Sequence, residues 1–137
     1  MTTPATRHLP LALLWLRLGI FIVMFVWTLD KFVRPEHAAK VFAGFYAIGG
    51  LGSLPIYLIG GVELLVLAGF LVGFRKRLTY GLVLALHGIS TFSSFRQYLH
   101  PFDGPNLLFF AAWPMLAACA ALYLLREADT LWAMKDT

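Results

Sequence analysis

Apolar residues in this chain gather into four long blocks, with little alternation of apolar and charged positions inside them. The blocks run over about Leu9–Leu29, Leu54–Gly73, Leu78–Phe95 and Pro105–Leu125. Crossing the hydrocarbon core of a bilayer takes about 20 residues of helix, so the pattern predicts four spans. The third block is the shortest and needs a thin local bilayer or help from its flanks. Trp15, Trp27, Tyr57, Tyr98 and Trp132 fall toward the predicted span ends, where amphipathic rings favour the interface.

Between the first two blocks the pattern changes. Pro35 suits a first helical residue, and Ala38, Val41, Phe42, Phe45 and Ile48 recur at three- and four-residue spacing. This predicts a short amphipathic helix lying on, or folded into, the outer membrane face. Gly49-Gly50-Leu51-Gly52 ends it. The link between the third and fourth blocks, QYLHPFDGPN, carries turn chemistry throughout. The expected fold is all-α: an integral membrane four-helix bundle with one amphipathic helix in its first outer loop. All 137 residues form a single domain.

Composition supports a lipid environment. The chain is 60% hydrophobic and 13% charged, against roughly 45–50% and about 25% in soluble domains. Its net charge of +4 does not point to nucleic acid, because the basic residues are scattered and three of them, Arg75, Lys76 and Arg77, fill one short link. Short loops rich in Lys and Arg stay cytoplasmic, which places both termini in the cytoplasm. The first apolar block is too long for a secretion signal, is interrupted by Arg17, and lacks a small-x-small cleavage site. It is expected to remain in the mature chain. The single cysteine, Cys119, argues against thiol-oxidising four-helix enzymes, which need cysteine pairs.

Charge within the blocks raises the functional question. Arg17, Glu63 and His87 lie in three different spans, each seven to ten residues from the predicted cytoplasmic end. At 1.5 Å per residue they fall in one layer, roughly 10–15 Å deep. A charge at a helix centre costs about 2.5–3.5 kcal/mol on insertion scales, so pairing of Arg17 with Glu63, with His87 hydrogen-bonded to either, is the expected arrangement. That pair is either architecture or a ligand or proton site. His87, Thr91, Ser94 and Tyr98 form one polar stripe flanked by Ser90, either helix–helix glue or a binding surface. Arg17 shares a face with Met24, Thr28 and Lys31. The ligand or proton candidates are thus Arg17, Glu63, His87, Ser90 and Thr91, and the outer-face candidates are Asp30, Lys31, Arg96 and His100. No metal spacing is present, and one intramembrane histidine cannot hold a haem from both sides unless the chain dimerises. Gly69-x-x-x-Gly73 and Ala117-x-x-x-Ala121 permit close helix packing, including a homodimer.

Four stretches, in order, carry a family resemblance: LLWLRLGIFIVMFVWTLDKFVRP, AAKVFAGFYAIGGLGSLP, GGVELLVLAGFLVGFRKR and NLLFFAAWPMLAACAALYLL. From about Leu11 to Trp132 the chain resembles the DoxX family of small four-helix bacterial membrane proteins. The resemblance implies polar family positions at Arg17, Lys31, Glu63 and His87. It also implies a link to oxidoreductase complexes, including thiosulfate:quinone oxidoreductase, with a quinone as the cofactor to consider. The expected function is a membrane subunit or anchor of a quinone- or sulfur-linked redox complex, auxiliary rather than itself an enzyme. An accessory structural membrane protein without chemistry and a small-molecule binder or carrier are the alternatives.

Overall fold

A computed structural model describes residues 3–135. Its long helices are α1 (Pro4–Val33), α3 (Ser53–Val72), α4 (Lys76–Ser93) and α6 (Ala112–Leu124). The shorter α2 (Pro35–Phe45) follows α1, and α5 (Phe95–Leu99) follows α4. A 3₁₀ segment, Asn106–Ala111, leads into α6, and no strand occurs among the described residues. Three helical stretches are long and apolar enough to cross a membrane: Pro4–Val33, Ser53–Val72 and Asn106–Leu124. The chain therefore has the character of a membrane protein in contact with lipid.

The fourth predicted span, α4, is missing from that group because Lys76, Arg77, His87 and its hydroxyl side chains lower its mean hydropathy. Lys76, Thr79, Tyr80, Val83, His87 and Thr91 are buried, whereas Leu78, Leu82, Ile89 and Phe92 are exposed. The expected polar stripe thus faces protein, and apolar side chains face outward.

Local chemistry sets the helix ends. Thr3 caps α1 by accepting the Thr6 N–H on its side-chain oxygen, and Pro4 follows at the first turn. Pro35 ends α1 and opens α2 as expected, because the residue before a proline avoids the helical region. Gly73 closes α3 in the left-handed region at φ 70°, with the Phe74 N–H reaching back to the Gly69 carbonyl at 2.8 Å.

Consecutive long helices run antiparallel. Phe32 stacks on Tyr57, Thr28 reaches Glu63, Phe70 meets Tyr80, and His87 reaches Ala112. The core sits toward the end where α3 joins α4, built from Leu13, Ile20, Leu67, Phe70, Tyr80, Val83, Cys119 and Leu122. After α6 the chain folds back beneath that core, and the Met134 N–H donates to the Val72 carbonyl at 2.8 Å. Gly69 and Gly73 serve these internal contacts: a Cβ on Gly69 would lie 2.8 Å from Thr79, and one on Gly73 2.8 Å from Ala133. Gly73→Ala combines that clash with a left-handed backbone that alone costs about 1–2 kcal/mol. A lowered unfolding midpoint in detergent is the expected result.

Candidate functional site

Arg17 and Glu63 do not meet. This corrects the expected Arg17–Glu63–His87 layer, and the cause is helix register together with side-chain direction. Glu63 lies opposite Thr28 and Lys31, three turns and roughly 16 Å along α1 from Arg17. Side chains lean toward their own helix N-terminus. Because α1 and α3 run in opposite directions, the two side chains lean apart, Arg17 toward the core end and Glu63 toward the other.

Arg17 is fully buried, and its partners lie in the returning tail. One terminal nitrogen donates to Asp129 Oδ2 at 3.1 Å and to Tyr80 Oη at 3.2 Å. The other donates to the main-chain carbonyls of Leu131 and Trp132. Tyr80 in turn donates to Asp129 Oδ2 at 2.6 Å, and Lys76 Nζ donates to the Asp129 carbonyl at 2.7 Å. The arrangement is a clamp, a planar cation divided between a buried carboxylate and two carbonyls, although Arg17 Nε and Asp129 Oδ1 are buried without a partner among the described residues. It fastens the chain end to α1, α4 and the α3–α4 link. Asp129 and Tyr80 are the residues that reading the sequence missed. The only sequence cue is an acidic residue placed before Leu131 and Trp132, beyond the last apolar block.

At the opposite end the helices separate around a cleft of about 1820 Å³. One face of α1 lines it from Trp15 to Val33, with α2 across it, α4 contributing Leu86, His87 and Ser90, and α6 contributing Met115 and Ala118. Ile59 and Glu63 of α3 also border it. The predicted amphipathic helix α2 is folded against this cleft: Ala38 is buried, and Phe45 stacks on Phe109 at 5.9 Å. Trp15, Val26 and Leu108 line the cleft yet remain exposed, so its rim is apolar.

The polar groups of the cleft fall into two clusters and one isolated ring. Lys31 Nζ lies 3.0 Å from Glu63 Oε2, and Thr28 Oγ1 donates to that same oxygen at 3.0 Å. Oε1 of Glu63 has no hydrogen-bond partner among the described residues, and the Lys31 ammonium has three donors for one contact. Asp30, at the outer end of α1, binds Arg34 through one carboxylate oxygen and His37 through the other, tying α2 to α1. His87 is 1% exposed, its Nε2 lies 3.1 Å from the Ala112 carbonyl, and its buried Nδ1 has no partner. Facing a carbonyl, Nε2 must be the protonated nitrogen, which leaves Nδ1 an acceptor. Trp27 stacks against the ring at 6.1 Å.

The structure thus brings Glu63, Lys31, Asp30, His87 and Ser90 to one cleft. Arg17 belongs to the clamp instead. Thr91 is buried and donates to the His87 carbonyl at 2.7 Å, within its own helix. Arg96 is exposed beside the Phe95 ring, and His100 lies 4.0 Å from Asp103 at the surface. Neither lines the cleft. Comparison with family models, curated proteins and solved structures finds no match to this chain.

Proposed function

We propose that this chain is an integral membrane protein that crosses the bacterial inner membrane four times and binds a lipophilic ligand in its outer cleft. It serves as a membrane subunit or anchor of a quinone- or sulfur-linked redox complex. The observation that carries the reading is the cleft itself: largely apolar, about 1820 Å³ in volume, and bordered by an ion pair with unused hydrogen-bonding capacity. Ligand sites have this character, apolar walls with a few placed polar groups. The order of the DoxX-like stretches supports the redox link. The outward apolar face of α4 supports a fourth crossing. Arg75, Lys76 and Arg77, at the same end as Arg126 and Lys135, support cytoplasmic termini. A quinone ring would suit the cleft, with its carbonyls accepting from Lys31 or Ser90.

A second reading, an accessory structural protein, draws support from the buried Arg17–Asp129 pair, since such pairs can fix register without chemistry. Solubilising native membranes in mild detergent, then identifying co-purifying proteins and quinones by mass spectrometry, separates the two. Recovery of a redox partner or a bound quinone is expected. Recovery of the chain alone, free of quinone, would overturn the redox reading.

A further inference from the structure

The cleft has a shape and a charge balance that together select a ligand class. Its α1 wall extends from Trp15 to Val33, roughly 27 Å of helix. Drug-sized ligands occupy about 300–1,000 Å³, so this space suits an elongated molecule. The polar groups sit at one end, around Lys31 and Glu63. The far end, around Leu16, Gly19 and Ala118, is apolar. A Cβ placed on Gly19 would meet nothing within 4 Å, so that end is open space.

The head-group end carries no unmatched charge. Lys31 and Glu63 neutralise each other, and Asp30 is held by Arg34 and His37. An ionic head brought here would find no free counterion, because each charge is already paired. A neutral head meets a different situation. Glu63 Oε1 is free to take a donor and the spare Lys31 N–H groups an acceptor, and His87 Nδ1 is a buried acceptor without a partner.

We infer that the cleft binds an uncharged long-chain amphiphile whose head carries both a hydroxyl donor and an acceptor oxygen. The head lies at Lys31–Glu63, and the chain runs along α1 toward Gly19. Two sources share this chemistry: a prenylated quinol and a neutral glyceride lipid. The inference rests on the cleft being a ligand site and not on any redox partner.

Photolabelling of the purified full chain in detergent tests it. The probes are three diazirine-tailed molecules of equal chain length: a monoacylglycerol, a fatty acid and an alkyl trimethylammonium. The neutral probe should label α1 and α6 peptides about tenfold more than either charged one. Glu63→Gln and Lys31→Met should each reduce that preference. Gly19→Phe, which fills open space and leaves the ion pair intact, should reduce labelling by the neutral probe about tenfold. Competition by a short-chain ubiquinol assigns the site to quinols, whereas competition by unlabelled monoacylglycerol alone assigns it to glycerides; both support the inference. Equal labelling by all three probes, or full labelling of folded Gly19→Phe, overturns it. Failure of the partner recovery described above would leave this result untouched.

Discussion

Asp129→Leu should destabilise the protein by about 3–5 kcal/mol, the usual cost of removing one partner from a buried ion pair. Arg17 would keep two carbonyl acceptors and lose its counter-charge, and Tyr80 would lose the acceptor it now reaches at 2.6 Å. Neither group can turn to water, since Arg17 is 0% and Tyr80 1% exposed. The measurement is a denaturant unfolding titration in detergent micelles, followed by tryptophan fluorescence. The double variant Arg17→Met/Asp129→Leu should recover a substantial part of the loss, because the uncompensated cation is then gone. A double-mutant cycle isolates the pair from the individual losses. Arg17→Lys should not rescue function or stability fully, because a single ammonium cannot span a carboxylate and two carbonyls as the planar fork does. If Asp129→Leu unfolds at the midpoint of the unaltered chain, the clamp contributes nothing.

Glu63→Lys should be the next most damaging change, by about 2–3 kcal/mol, less than a fully buried pair because both side chains retain some exposure. It places a second ammonium against Lys31 at a contact now 3.0 Å long and removes the acceptor of Thr28. The exchanged pair, Lys31→Glu/Glu63→Lys, restores opposite charges at the same place. Its unfolding midpoint should return most of the way. A double variant no better than Glu63→Lys alone would show that packing, and not charge, governs the site. The two sites lie at opposite ends of the bundle, so their effects should add.

The helices were largely legible in the sequence, because apolar block length and Pro/Gly punctuation report local conformation. Pro35 gave the start of α2, and the spacing of His87 and Thr91 gave the inward face of α4. The pairing of Arg17 was not legible. An apolar block shows where a chain becomes greasy, whereas helix register depends on where the helix is capped and which residues meet across it. α1 begins at Pro4, ahead of its apolar block, and continues to Val33. Glu63 consequently faces Thr28 and Lys31, although Arg17 seemed equally deep. The tail escaped for another reason. Asp129 follows the last helix in a segment without periodicity, and nothing local says that such a segment folds back. Lys31, an outer-face candidate in the sequence, is the partner of Glu63 because long side chains reach along the helix axis.

The clamp also constrains the order in which the molecule can be made. Arg17 emerges in the first helix, and its counter-charge lies 112 residues later. At about 5–20 residues per second, synthesis leaves roughly 6–22 s between them. During that interval the guanidinium must be satisfied by water or lipid phosphate at the membrane edge. Only when Asp129 arrives can it withdraw beneath Tyr80. Closure of the clamp is thus a single late step, and a ribosome stalled before Asp129 would leave α1 and α4 with an open base.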